Sequence, residues 1–207
     1  MVRRARRGQG VRVSRYFPAF LDLRGRRCLV VGGGAVGTHK AEALAQCGAR
    51  VIVVSPTATP SLAALAVAGR LVHRQRPFVE RDLRGSALVV AATGIGAVDG
   101  AVAALARRRR VLVNVVDRPA QCDFIVPSVL RRGPLQIAVS TGGRSPALAR
   151  EIRRALEALF PPSYGEFVER VGEARIRARA GGATVVARAN AAEQVVKTAL
   201  SVGRPVD

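Results

Sequence analysis

RCLVVGGGAVG, residues 27–37, is an apolar run that passes directly into a glycine-rich turn. The apolar run predicts a buried strand over Arg27–Val31. Apolar residues at helical spacing then predict a helix over Ala35–Cys47, which Gly48 ends, and a second apolar run at Arg50–Val54 predicts the next strand. Together they form one β-α-β unit, the building block of a parallel sheet.

The same alternation continues along the chain to Val116. Further strands are predicted at 71–75, 87–92 and 111–115, and helices at 61–68 and 97–109. Strands that alternate with helices in this way predict an α/β fold with a doubly wound parallel sheet of the Rossmann type.

The pattern changes after Val116. Phe124–Leu130 and Leu135–Val139 predict two strands joined by a turn at Arg131–Pro134, with no long helix between them. From Ser145 onward the spacing of apolar residues is helical. It predicts one helix that ends before Pro161 and two more at 164–179 and 183–201. The predicted organisation is a basic leader at 1–15, a Rossmann-type domain at 16–116, a small α+β dimerisation and active-site region at 117–145, and a helical C-terminal region at 146–207.

The charge of the chain indicates an anionic partner. Its 207 residues include 34 Lys and Arg against 14 Asp and Glu, a formal net charge of +20, while a hydrophobic content of 49% is enough for a globular core. Nucleic acid and a polyanionic small molecule would both satisfy such a charge. With no Trp, 2 Tyr and 6 Phe, the chain offers few stacking platforms. We therefore expect no nucleic-acid partner.

Two features bear on location. No apolar run approaches the roughly 18–20 residues that cross a bilayer, and the basic start has no apolar segment behind it, so neither a membrane span nor a secretory signal is predicted. The cysteines Cys28, Cys47 and Cys122 lie at unrelated spacings that match neither a disulfide framework nor a metal clip. We therefore expect a cytoplasmic protein, and we assign no metal ligands.

The turn Gly32-Gly33-Gly34-Ala35-Val36-Gly37 matches G-x-G-x-x-G in its proper context, after a strand and at the start of a helix. In such a turn the second glycine of the motif lets the backbone approach a pyrophosphate. A dinucleotide is therefore predicted, the alternative being a glycine-rich turn without a ligand. The second strand ends in Ser55-Pro56-Thr57, which contains neither the usual acidic ribose ligand nor an Arg for a 2′-phosphate. We favour NAD over NADP, with Ser55 or Thr57 in the place of the acid.

Asp117 is the candidate for proton transfer. It follows Asn114-Val115-Val116 just beyond a predicted central strand, and active sites of α/β sheets lie at the carboxyl ends of the strands. A turn-forming role before Pro119 explains an aspartate there equally well.

A third segment, Ser140-Thr141-Gly142-Gly143-Arg144-Ser145-Pro146, combines two glycines with a helix start. Ser145 suits the N-cap and Pro146 the first helical residue. The glycines also allow successive N–H groups to converge on an anion, so a carboxylate could dock there. Capping alone explains Ser145 and Pro146 without a ligand.

Taken together, these segments resemble the precorrin-2 dehydrogenase family, also described as the siroheme synthase amino-terminal domain. The resemblance extends over about residues 16–179. The matching pieces are YFPAFLDLRGRRCLVVGGGAVGTHKA (16–41), AAT (91–93), NVVD (114–117), FIVPSVL (124–130) and VSTGGRSPALAREIR (139–153).

The resemblance implies NAD-dependent oxidation of precorrin-2 to sirohydrochlorin, on the route to siroheme and in some organisms to cobalamin. It implies that Asp117 accepts the proton, that residues 32–36 hold the pyrophosphate, and that Thr93 lies at the cofactor and Asn114 at the substrate. Some members carry a phosphorylated Ser where this chain has Thr141. A homodimer is also implied. It is independently favoured by the two predicted strands without a crossover helix, which could pair with another subunit or with each other, and by the apolar stripe that starts at Leu148.

Other functions stay open at this stage. Some members of the family insert iron into sirohydrochlorin, but a surface or packing role is the simpler explanation of the two histidines, His39 and His73. A nucleotide-sensing module without catalysis would keep the glycine turn but would not need Asp117 or residues 139–146. A basic nucleic-acid-binding protein would explain only the charge.

Overall fold

A computed structural model describes residues 16–181 and 184–201. The predicted basic leader at 1–15 lies outside the described residues. The chain separates into two compact units, with the division between Ile125 and Val126. Residues 117–125 therefore belong to the first unit and 126–145 to the second, although the sequence groups 117–145 as one region. No described helix is both long and apolar enough to span a membrane.

The elements follow one another in the predicted order. The strands are β1 (Arg27–Val31), β2 (Arg50–Ser55), β3 (Val72–Gln75), β4 (Leu88–Ala91), β5 (Leu112–Val115), β6 (Ser128–Arg132) and β7 (Leu135–Val139). The helices are α1 (Ala35–Gln46), α2 (Pro60–Val67), α3 (Gly96–Arg108), α4 (Pro146–Leu159), α5 (Tyr164–Ala180) and α6 (Val185–Ser201). A 3₁₀ turn, Glu80–Leu83, lies between β3 and β4.

The first unit is the predicted parallel sheet. Its five described strands lie in the order β3-β2-β1-β4-β5, and every neighbouring pair is parallel. The strands β1, β2 and β4 are largely apolar on both faces, so the centre of the sheet is buried between two layers, whereas β3 at one edge is partly exposed. One face packs Leu29 and Val113 beneath α3, and the other packs Val30 and Val53 beneath α1 and α2. The sheet order reverses between β1 and β4, which is where α/β folds open a ligand crevice.

The second unit begins with the β6–β7 hairpin, which pairs antiparallel with Arg132 opposite Leu135. The predicted strand over Phe124–Leu130 is wrong in its first half, since β6 starts only at Ser128. Pro127 has no N–H for the ladder, and Phe124 packs instead against the core of the first unit. The turn is accordingly shorter than predicted and consists of Gly133, with φ of 53°, and Pro134.

Candidate functional site

The glycine turn between β1 and α1 is held by close backbone contacts. Gly32 has φ of 120°, and a Cβ on it would collide with the carbonyl oxygen of Ala92 beside β4. A Cβ on Gly37 would collide with the carbonyl of Gly32, so α1 can approach β1 only without a side chain there. A Cβ on Gly33 would meet Ser55 Oγ and the Thr57 carbonyl. These three glycines are required for packing of the turn itself.

Gly34 differs from its neighbours because a Cβ on it would meet nothing within 4 Å. It is the N-cap of α1, no side chain caps it, and it is exposed together with Ala35 and Val36. Uncapped N–H groups at a helix N-terminus favour an anion, and a bare glycine lets it approach the backbone. The empty space at Gly34 therefore leaves room for the pyrophosphate of a dinucleotide beside the start of α1.

The end of β2 forms the wall beside this turn. The Ser55 side chain is buried, and its hydroxyl donates to the Thr57 carbonyl at 2.7 Å and lies 3.0 Å from His73 Nε2. Ser55 thus shapes the loop against which Gly33 packs. Pro56 and Thr57 are exposed at the rim.

Two threonines that the sequence analysis did not single out join α1 to α2. The Thr38 hydroxyl donates to the Gly34 carbonyl at 2.9 Å and lies 2.7 Å from Thr59 Oγ1. Thr59 caps α2 by accepting from Leu62 N, and its own N–H donates to the Gly33 carbonyl at 3.0 Å. The Thr59-Pro60 pair is a helix-start signal that could have been read from the sequence.

The turn after β4 is stabilised by a buried carboxylate. Asp99, in the first turn of α3, accepts from Thr93 N at 3.1 Å and from Thr93 Oγ1 at 2.8 Å. Ile95 N in turn donates to Thr93 Oγ1 at 3.0 Å. Thr93 is therefore fixed at the carboxyl end of β4, and Gly94, with φ of 74°, completes the turn.

Asp117 lies exposed at the apex of the loop after β5 and adopts a φ of 58°, a conformation that aspartate tolerates better than most residues. Two side chains close the loop beneath it. Cys122 Sγ accepts from Val115 N at 3.1 Å and donates to the Val115 carbonyl at 3.2 Å. Asn114 is buried and donates to the Phe124 carbonyl at 3.0 Å. The carboxylate therefore projects from a loop that is tied to the edge strand.

Two cations lie near Asp117. Lys40, on α1, is half-buried, and this burial lowers its pKa, an effect that the nearby Asp117 charge partly opposes. Arg118 is the next residue in the chain, and its guanidinium lies against Gly96 at the start of α3. The sequence alone predicts no role for either residue.

In the second unit, residues 140–145 form the connection from β7 to α4. Gly142 and Gly143 both have positive φ, 64° and 80°. The Thr141 hydroxyl donates to the Ser145 carbonyl at 3.0 Å and accepts from Ser145 N at 2.9 Å. Ser145 is the N-cap of α4 and accepts from Leu148 N, as predicted. Ser140 Oγ accepts from Gly142 N at 3.1 Å, so the segment is internally ordered.

The structure therefore brings the candidate site residues of the first unit together at the carboxyl-terminal end of the sheet. Residues 32–37, 55–57, Thr93, Asn114 and Asp117 all lie at or near the carboxyl ends of β1, β2, β4 and β5.

Neither histidine is placed to bind a metal together with other typical ligands. His39 is exposed on α1, and His73 is bonded to Ser55. Within residues 16–181 and 184–201, no group of three or more His, Cys, Asp or Glu could hold a metal ion.

Two family models match successive parts of the chain. The family described as "Putative NAD(P)-binding" matches residues 19–128, and that described as "Sirohaem biosynthesis protein central" matches residues 132–159. Siroheme synthase of Thioalkalivibrio sulfidiphilus is 44% identical over 80% of this chain, and that of Methylobacillus flagellatus is 46% identical over 76%. The chain spans 34% of the length of each of these curated relatives.

A solved structure shares the architecture. The precorrin-2 dehydrogenase SirC matches with a TM-score of 0.68 at 26% identity, and the match covers 88% of this chain and 100% of that one.

Proposed function

The chain belongs to the precorrin-2 dehydrogenase and siroheme synthase amino-terminal family, and on that premise we propose that it oxidises precorrin-2 to sirohydrochlorin with NAD, in siroheme biosynthesis. The observation that carries the proposal is the placement of an open, uncapped glycine turn and of the exposed Asp117 carboxylate at the same edge of one sheet. A nucleotide-sensing module would need only the first of these.

The chemistry requires a hydride acceptor and a base. Bound NAD supplies the hydride acceptor through its nicotinamide ring. The residues that would hold it are the N–H groups of 34–36 at the pyrophosphate, Pro56 and Thr57 along the adenosine, and Thr93 on the nicotinamide side. Precorrin-2 loses a hydride and a proton, and Asp117 accepts the proton.

The second unit would contribute residues that bind the substrate. We propose that the Ser140 hydroxyl and the Gly143 N–H bind a substrate carboxylate. Thr141, Gly142 and Ser145 would order the segment, because the Thr141 hydroxyl and the N–H groups of Gly142 and Ser145 are already engaged within it. The positive φ of Gly142 and Gly143 supports this, because such a backbone can turn an N–H group toward an anion. Asn114 would support the substrate side indirectly, since its amide is engaged by the Phe124 carbonyl.

Three finer proposals complete the assignment. We propose a homodimer, supported by the apolar residues exposed on α4. We propose no nucleic-acid partner, because the charge is accounted for by a polycarboxylated tetrapyrrole. We propose a cytoplasmic location, supported by the three free thiols of Cys28, Cys47 and Cys122, which suit a reducing compartment.

The experiment that tests the function is anaerobic incubation of precorrin-2 with NAD, followed by the absorbance of sirohydrochlorin and NADH. Asp117→Asn keeps the shape of the side chain and removes the base, so turnover should fall by about 10²–10⁴-fold while the Kd for NAD stays within a few-fold. Asp22→Asn, an exposed aspartate paired with Arg24, is the matched control and should keep full turnover. Near-normal turnover of a folded Asp117→Asn protein would leave Asp117 with a turn-forming role only.

The same assay addresses the remaining alternatives. Fe²⁺ added after NAD is consumed reports iron insertion, the second activity that the family resemblance implies for some members. A protein that binds NAD but does not change the tetrapyrrole spectrum would be a nucleotide-sensing module. Retention on DNA at physiological salt without any spectral change would favour the nucleic-acid alternative.

A further inference from the structure

The side chain of Arg118 reaches away from its neighbours in the sequence to the start of α3. Its guanidinium lies against the first residue of α3, where a Cβ on Gly96 would be 2.5 Å from Nη2, 3.1 Å from Nη1 and 3.2 Å from Cζ. The missing side chain of Gly96 therefore makes room for this guanidinium. Because Arg118 directly follows Asp117 in the chain, this cation belongs to the same loop as the proposed base.

The guanidinium has no protein acceptor in the described part of the chain. Several arginines of the first unit form ion pairs, among them Arg76 with Asp82, Arg107 with Asp123 and Arg109 with Glu80. The carboxylate nearest the start of α3, Asp99, is already occupied by the N–H and hydroxyl of Thr93. Among the described residues, Arg118 takes part in hydrogen bonds only through its backbone, to Val115 and from Gln121 and Cys122.

The surroundings of Arg118 add to its positive potential rather than neutralise it. The first turn of α3 has the positive end of the helix dipole, and its N-cap, Ile95, provides no capping acceptor. Lys40 is the second cation close to Asp117, and it likewise has no ion pair among the described residues. Lys40, Arg118 and the start of α3 are therefore sources of positive potential near the loop that carries Asp117, an arrangement that an anionic ligand would stabilise.

We propose that Arg118 binds a carboxylate of the tetrapyrrole and so holds the reacting carbon of the substrate beside Asp117. This inference rests on the proposed function, because the ligand is the substrate of that reaction. An arginine can form two parallel hydrogen bonds with a carboxylate, which fixes orientation as well as distance. Arg118 is thus a substrate-specificity residue, and Gly96 positions it.

The test measures binding of sirohydrochlorin, the reaction product, by absorbance titration of the full chain, so that it does not depend on turnover. Arg118→Gln should raise the Kd by about tenfold to a hundredfold, the loss expected for a charged hydrogen bond, and Arg118→Lys by less. Gly96→Ala should weaken binding in the same direction by displacing the guanidinium, while the better helix former keeps or raises the Tm. Arg108→Gln, at the exposed far end of α3, makes the same charge change and should leave the Kd unchanged.

The outcomes separate the sources of the anion and the two proposals. A rise in the Kd for NAD with an unchanged Kd for sirohydrochlorin would assign Arg118 to a cofactor phosphate and overturn the inference. An unchanged Kd for sirohydrochlorin in Arg118→Gln, or no binding by the wild-type protein, would also overturn it. Loss of the Asp117 effect on turnover would instead count against the proposed function alone, since product binding is measured separately.

Discussion

The glycines of the turn lack a side chain for different physical reasons. At Gly32 and Gly37 the missing side chain allows backbone to touch backbone, whereas at Gly34 the neighbouring space is empty. The motif predicts all three positions but cannot tell packing from binding. The distinction emerges only when the surroundings of each Cα are known, because both needs select glycine.

Gly34→Val should abolish NAD binding and leave the protein folded. The backbone at Gly34 has φ of −75°, which any residue adopts, and a Cβ would meet no protein atom within 4 Å, so the valine fills only the space proposed for the pyrophosphate. Calorimetric titration with NAD checks binding, and a thermal melt checks folding. Gly172→Val, at another glycine without neighbours in α5, is the control that should bind NAD normally. A folded Gly34→Val protein with unchanged affinity would contradict the cofactor site.

Several residues of the site could not be found from the sequence. Ser55 was predicted at the ribose, yet its buried hydroxyl is engaged within its own loop. Lys40 and Arg118 gave no signal, since two basic residues among 34 are unremarkable. Only the fold brings Lys40 close to Asp117 and the Arg118 guanidinium against Gly96. Long-range pairing of this kind depends on strand order, which periodicity does not specify.

At the scale of elements, the strands of the parallel sheet were the most predictable part. Continuous apolar runs such as residues 27–31 are typical of strands buried on both faces, and the structure confirms this run without a shift. The strand predicted from Phe124 was wrong because an apolar residue can leave its own segment and enter a neighbouring core. The 3₁₀ turn after β3 was not predicted, because the side chain of a single buried residue, Asp82, stabilises it.

Asp82→Asn should destabilise the first unit and flatten its acid unfolding. The buried carboxylate accepts from Arg76 at 2.5 and 2.8 Å, from Arg74 at 3.0 Å and from Val79 N at 3.1 Å. Burial by itself would raise the pKa of Asp82, but these hydrogen bonds and charges hold it below its usual value. The stabilisation is therefore complete above the unfolded-state pKa, about 4, and is lost as the pH falls through the lower folded-state pKa.

Urea unfolding of Asp82→Asn at about pH 7 should show a loss of about 1–3 kcal/mol, because a charged acceptor is removed while its arginines remain partly exposed. The difference from wild type should shrink in acid. Asp22→Asn, whose carboxylate is exposed beside Arg24, should unfold as wild type does. An equal difference at neutral and acid pH would show that the ion pairs do not carry the effect.

For the whole molecule, the anionic partner and the oligomeric state are the properties that composition constrains least. The net charge of +20 is compatible with any polyanion, and only the site at the sheet edge favours a polycarboxylated small molecule. The helices of the second unit were predicted correctly from the sequence. Its exposed apolar surface, by contrast, follows from tertiary packing, since the periodic stripe of α4 could equally have been buried within one chain.

The protein should be a homodimer that depends on α4. Leu148, Ile152 and Leu159 share one side of this helix and are 52%, 40% and 65% exposed, a surface that is rarely left in water. Light scattering at micromolar concentration should give about twice 21.8 kDa. Ile152→Glu places a charge in this stripe and should yield the monomer, whereas Arg150→Ala, with the same change of net charge on the opposite side of α4, should remain dimeric. A wild-type mass near 21.8 kDa would rule out the dimer, and a dimeric Ile152→Glu protein would place the interface elsewhere.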